Sequence, residues 1–240
     1  MKPESLVADF SGVYEAEGLL RYLQEQDLPV RHVDLGGIEG TVCYCDAEAE
    51  EKIRRRLAPV AEAGIRWIDS GDYHYVTKIL AGFQQEPFVL VLVDNHPDDQ
   101  EPAFGGVLSC GSWVKALRES QPMLEAVWTL GPDHRIRGPK VDRPLEEDID
   151  DLLEALEGQR VYLSIDKDVL RREESRTDWS QGSYARETLA GWLRKLLKMN
   201  VVAIDLCGEL APAKGATPED LRINGETNRY LQELLLDCLK

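Results

Sequence analysis

The sequence predicts an α/β chain with three layers, α/β/α, around a mostly parallel, doubly wound sheet. Strand-like and helix-like stretches alternate almost throughout the 240 residues, which is the pattern of βα units. The runs Phe88–Val93 and Val161–Ile165 are continuously apolar rather than alternating, as strands covered on both faces are. Both end abruptly in carboxylates, Asp94-Asn-His-Pro-Asp98 and Asp166-Lys-Asp168, where open α/β sheets bind ligands.

Leu6–Ser11 reads as the first strand and Glu15–Gln26 as an amphipathic helix. Val30–Leu35 and Thr41–Asp46 read as strands, and Gly36-Gly37 is the expected turn of a hairpin between them. Ala47–Ala63 is helical in composition. Its Glu48, Glu50, Glu51, Arg54, Arg55 and Arg56 make a solvated face of helix-spaced charges. A short strand over Ile65–Asp69 precedes a helix around Tyr75–Phe83. After Phe88–Val93 comes a loop rich in Pro, Gly and acid, then a helix over Gly111–Ser120 and a strand over Glu125–Gly131. Leu145–Leu156 reads as a helix with Glu146, Glu147 and Asp148 in its first turn, where they suit the dipole. The strand ending at Ser164 to Asp168 and a polar loop over Arg171–Tyr184 follow. A helix over Ala185–Met199, a strand over Val201–Leu206 and a closing helix over Pro218–Leu239 complete the series. With no repeat and no linker, residues 1–240 are expected to form a single domain.

The chain carries 28 basic and 44 acidic residues, a net charge of −16. That balance disfavours nucleic acid and anionic membranes as partners. No apolar run approaches the roughly 20 residues that span a bilayer, and no segment reads as a secretory signal. The expected compartment is the cytoplasm. The five cysteines, an odd number at scattered positions, read as reduced thiols rather than a disulfide framework.

The chemistry concentrates at the two acidic strand ends. Asp94, His96 and Asp98 alternate, so they point to one side. Asp166 and Asp168 repeat the spacing on a second strand. Either segment alone also suits a solvated loop; together, in one sheet, they are more specific. Four ionised carboxylates that close repel strongly, and a cation resolves the repulsion. Carboxylates with imidazole suit Mn²⁺, Fe²⁺ or Zn²⁺ better than Ca²⁺. His74 follows the strand Ile65–Asp69, at the same sheet edge.

His74, then Asp94-x-His96-x-Asp98, then Ser164-x-Asp166-x-Asp168, is an order that resembles the ureohydrolase family, the arginase and agmatinase group, which shares its fold with the deacetylases. Gly182-Ser-Tyr-Ala-Arg-Glu187 and Asp205-Leu-Cys-Gly-Glu209-Leu-Ala-Pro212 resemble two further family segments. The resemblance implies a short, divergent member with two Mn²⁺ ions, iron or zinc being alternatives. One ion would be held by His74, Asp94, Asp98 and Asp166, the other by His96, Asp94, Asp166 and Asp168. It also implies hydrolysis of a non-peptide C–N bond in a guanidino or amidino small molecule by a metal-bridging hydroxide. Asp98 would relay a proton, and Glu209 would face a cationic substrate. An amide deacylase and a metal-binding relic without turnover are the alternatives, and a homo-oligomer is left open.

The chain departs from the family in three places. The loop Glu101–Gly111 lacks the histidine usual there, Lys167 stands where an apolar residue is usual, and Cys207-Gly208 adds a residue before Glu209. Lys167 is expected to point away from the metals. His134 is expected on an exposed turn, and Trp113, Trp128, Trp179 and Trp192 as core or loop anchors. Ser112 and Cys110 lack a base partner for covalent catalysis.

Overall fold

The computed structural model describes residues 3–103, 105–145 and 149–239. The acidic first turn expected at Glu146, Glu147 and Asp148 lies outside them. Seven parallel strands form most of one sheet: β1 (Ser5–Asp9), β2 (Val30–Asp34), β4 (Ile65–Trp67), β5 (Phe88–Val93), β7 (Leu124–Leu130), β10 (Arg160–Asp166) and β11 (Asn200–Cys207). An antiparallel hairpin, β8 (Arg135–Gly138) and β9 (Val141–Pro144), extends one edge, giving the order β2-β1-β4-β11-β10-β5-β7-β8-β9.

Helices cover both faces, so the three-layer expectation holds. The side chains of β5 alternate between the layers. Val89, Val91 and Val93 join a core with Trp67, Trp192 and Leu231. Phe88, Leu90 and Leu92 join the opposite core with Ile53, Leu80 and Trp113. The first layer holds α1 (Val13–Ala16), α2 (Leu19–Glu25), α6 (Asp150–Ala155), α7 (Arg186–Leu196) and α8 (Pro218–Cys238). The second holds α3 (Ala47–Leu57), α4 (Val76–Ala81) and α5 (Trp113–Ser120). The α3 face carries the expected pairs Lys52–Glu48 and Arg55–Glu51, each at 2.7 Å.

Three expectations change. The first helix is two, because Gly12 and Gly18 adopt left-handed φ of 76° and 78° at the two N-caps. The hairpin across Gly36-Gly37 does not form. Instead β3 (Tyr44–Cys45) pairs antiparallel with β6 (Leu108–Ser109) in a separate ribbon. The β8–β9 hairpin is an addition to the expected elements, since Arg135–Pro144 is polar and lacks an apolar run.

The register fixes where the acids emerge. Ile165 pairs with Val93 and Asp166 with Cys207. Asp94 and Asp166 therefore leave the sheet side by side, about one strand spacing of 4.8 Å apart. Close packing of backbone holds these ends. A Cβ at Gly131 would lie 2.0 Å from the Asp94 carbonyl oxygen, and one at Gly208 2.2 Å from Asp166 Oδ1; both φ values are positive, 126° and 96°. Only glycine meets both demands.

Beneath the site, Arg66 of β4 pairs with Asp205 of β11 at 2.5 Å, both within 1% of full burial. Tyr162 donates its hydroxyl to Asp205 Oδ2 at 2.7 Å, and the Arg66 guanidinium stacks 4.7 Å from the Tyr162 ring. Removing one partner of such a pair strands a buried charge. Arg66→Met is expected to lower the unfolding free energy by about 3–5 kcal/mol, and Tyr162→Phe by about 1–3 kcal/mol, both read by urea denaturation.

Candidate metal centre

His74 sits on the turn after β4, and that turn is set by Asp69. Its carboxylate accepts from Phe10 N (2.8 Å), Ser11 N (2.9 Å), Ser11 Oγ (2.7 Å) and Ser70 N (2.7 Å). Burial pushes Asp69 up to about 6 against those hydrogen bonds. A helical turn over Gly71–Tyr73 then presents His74 to the ends of β5 and β10.

The six side chains expected as ligands converge. His74 Nδ1 lies 3.2 Å from Asp94 Oδ2, 3.1 Å from Asp98 Oδ2 and 3.5 Å from Asp166 Oδ2. His96 Nδ1 lies 2.7 Å from Asp168 Oδ2 and 3.6 Å from Asp94 Oδ1. The donor atoms form three groups, each within 4.8 Å: His74/Asp94/Asp98 and Asp94/His96/Asp168, which share Asp94, and His74/Asp166/Cys207. The donor set fits two hard-to-borderline divalent cations. Asp94 Oδ2 is buried without an aligned hydrogen-bond donor, a position that a positive ion would satisfy.

Neighbours orient the ligands. Trp113 Nε1 donates to Asp98 Oδ2 at 2.6 Å. His74 Nε2 lies 2.9 Å from Ser164 Oγ, and His96 Nε2 2.8 Å from Ser180 Oγ. Asn95 N donates to Asp168 Oδ1 at 2.9 Å. Gly182 N donates to the Asp168 carbonyl at 2.7 Å, which gives the Gly182–Glu187 segment its place. Outer-shell contacts of this kind fix ring orientation and ligand basicity.

A cavity of about 200 Å³ opens onto these groups, walled by Cys43, Tyr44, Gln100, Ser109, Cys110 and Trp179. Sequence reasoning missed this wall. The β3–β6 ribbon supplies most of it, and neither strand is long enough to show a period. Trp179 is 41% exposed and donates to Asp72 Oδ1 at 3.2 Å; a lone tryptophan in a polar loop was the available signal. Burial pushes the Cys43 thiol up to about 11 and also raises Cys110, so neither is primed as a nucleophile. A wider depression of about 640 Å³ beside Phe10, Gly37 and Tyr73 lies away from the clustered ligands.

Of the residues expected to act on the substrate, Glu209 stands elsewhere. His134 is exposed on its turn, as read from the sequence. Glu209 is fully buried and outside the cavity lining. Its Oε1 pairs with Lys167 Nζ, which also donates to Asn228 Oδ1 at 2.6 Å. Lys167 does point away from the ligand groups, and it is fully buried. Cys207, not Glu209, faces the ligands: its Sγ is 3.1 Å from Asp166 Oδ2 and it groups with His74 and Asp166.

No family model matches the chain. An uncharacterized protein of Thermotoga maritima is 31% identical over 212 residues, 88% of this chain and 81% of its own. The arginase of Entamoeba histolytica in complex with L-ornithine matches at 12% identity over 98% of both chains, with a TM-score of 0.67. The chain is a ureohydrolase-fold protein of the same family as the Thermotoga protein. A formiminoglutamase of Trypanosoma cruzi with Mn²⁺ matches this ureohydrolase fold as well, at 13% identity over 100% of this chain and 94% of its own, with a TM-score of 0.65. Among the described residues of this ureohydrolase-fold chain, no helix is long and apolar enough to cross a membrane.

Crowding sets the proton balance. Burial, then the Asp168 charge, pushes Asp166 up to about 7, and burial, then the Asp94 charge, does the same to Asp168. The hydrogen bond to Asp168, then that to Asp94, raises His96 to about 11. From their ordinary values of 3.8 and 6.5, all three bind more protons folded than unfolded. For the aspartates the window runs from about pH 4 to 7 and for His96 from about 6.5 to 11. Stability of the metal-free protein therefore falls as pH rises, while metal, which displaces those protons, binds more tightly. The chelator-treated protein is expected to lose Tm between about pH 5 and pH 9, and the gap to the manganese-saturated protein to widen, in paired thermal melts.

Proposed function

We propose that the protein is a metal-dependent hydrolase of a non-peptide C–N bond, with two divalent cations, Mn²⁺ first among them, at the sheet edge. The observation that carries this reading is the convergence of His74, Asp94, His96, Asp98 and Asp168 from three strand ends into two donor groups sharing Asp94, with Asp166 3.5 Å from His74, beside a cavity that five of the six side chains line. His74, Asp94, Asp98 and Asp166 would hold one ion; His96, Asp94, Asp166 and Asp168 would hold the other. The similar Trypanosoma formiminoglutamase is a structure with Mn²⁺, which supports the choice of metal. Ions so bound supply Lewis acidity and lower the pKa of water toward neutrality.

The chain's own residues do the rest. The cavity admits a small planar electrophile of guanidino, amidino or amide type and sets it against Asp98 and His96. Asp98, fixed by the Trp113 hydrogen bond, is placed to accept a proton from the attacking water and return it to the departing nitrogen. The loop Glu101–Gly111 brings no histidine to this relay, so the proton path rests on Asp98.

Elemental analysis after manganese-supplemented expression is expected to find two ions per chain. Amine release from a panel of guanidino, amidino and acylamino compounds is expected to identify a substrate class. Asp94→Asn and Asp166→Asn, at the shared ligands, should cut turnover by more than the roughly 10–100-fold that outer-shell changes cost. A protein without metal would reject the hydrolase reading; full metal with no turnover would favour the relic.

A further inference from the structure

We propose that the reacting group this site takes is uncharged, a carboxamide-type carbon rather than a guanidinium. The inference rests on the hydrolase reading and narrows it. The chain has spent the carboxylate that would meet a cation. Glu209 is fully buried and committed to Lys167, with Asn228 Nδ2 donating to its Oε1 at 3.0 Å. The same Asn228 Nδ2 donates to Glu17 Oε2 at 2.9 Å. Burial and the Glu209 charge hold Glu17 well above the usual carboxylate range. Glu209 Oε2 has no hydrogen-bond partner, but the residue is fully buried and none of this cluster lines the cavity.

The cavity itself shows the same neutrality. Among the described residues lining it, the only charged side chains are the metal-holding His74, Asp94, His96, Asp98 and Asp166. Asp72 lies behind the wall, but Cys43 Sγ donates to it at 2.9 Å, Trp179 Nε1 at 3.2 Å and Lys214 Nζ at 2.9 Å. Among the described residues, no lysine or arginine lines the cavity to call for an anion. What remains are thiols, hydroxyls, an amide and two aromatic rings, which suit a neutral polar group. A guanidinium would give up its water for no countercharge beyond the metal ligands, a costly transfer. In the reaction the amide C–N bond breaks and a C–O bond forms from water. Both water protons end on the departing nitrogen, so carboxylate and alkylammonium result without redox change.

A matched pair of probes tests this, N-propylacetamide and propylguanidine, which release the same propylamine. With the manganese-loaded full chain, kcat/KM is expected to be at least tenfold higher for the amide. Titration calorimetry should show at least tenfold tighter amide binding. Replacing the buried pair together, Lys167→Met with Glu209→Gln, should leave metal content unchanged and amide binding within threefold; Glu209→Gln alone is the fallback if the double variant misfolds. Preference for the guanidine by either measure, or its loss on Glu209→Gln, overturns the proposal. If metal binds and neither probe is hydrolysed, the calorimetric preference still decides the inference, while the hydrolase reading fails separately.

Discussion

Mutual repulsion among buried carboxylates is the constraint around which this molecule is organised. Asp94, Asp98, Asp166 and Asp168 are each at most 6% exposed, and parallel pairing of β5 with β10 sets two of them side by side. Such a cluster persists only where positive charge offsets it. In the metal-free chain protons and two imidazoles perform that task, which is why Asp166, Asp168 and His96 all hold protons past their ordinary range. The surrounding devices exist to keep the repelling groups in place: glycines at 131 and 208 where backbone crowds the ligands, a tryptophan on Asp98, hydroxyls behind each histidine.

The pair Cys207-Gly208 shapes the chemistry around that cluster. With Gly208 in a left-handed conformation after β11, the thiol of Cys207 turns toward His74 and Asp166, and Glu209 turns to the opposite side of the strand end. Lys167, between two ligands on β10, points the same way and meets it. The two departures from the family pattern are therefore one feature, since each charge would be intolerable in that core without the other.

The parts of this architecture legible in the sequence are those where local pattern and tertiary role agree. Phe88–Val93 is apolar at every position because both faces of β5 are buried, so its bounds match the strand residue for residue. The convergence of the acidic motifs was legible because each directly follows an apolar strand. The expected alternation does not continue past the strands, since β5 ends at Val93, Asp98 has a φ of 49° and Lys167–Val169 is a helical turn. The ribbon of β3 and β6 was not legible. Two-residue strands have no period, and their pairs, Tyr44↔Ser109 and Cys45↔Leu108, lie far apart in the chain. Nor was the partner of Glu209. Nothing local at Lys167 announces a companion 42 residues on.

Asp69 joins distant parts of the chain at one point. Its side chain accepts hydrogen bonds from the Phe10 and Ser11 amides, while its carbonyl oxygen accepts from Gly208 N at 3.1 Å and Glu209 N at 3.3 Å. The pedestal under His74 is thus stitched from the opening strand and the last one. During synthesis the six ligands are all polymerised before β11 exists, yet the knot that aligns them waits for it. The alignment of the candidate donor groups is accordingly completed only when β11 reaches Asp69.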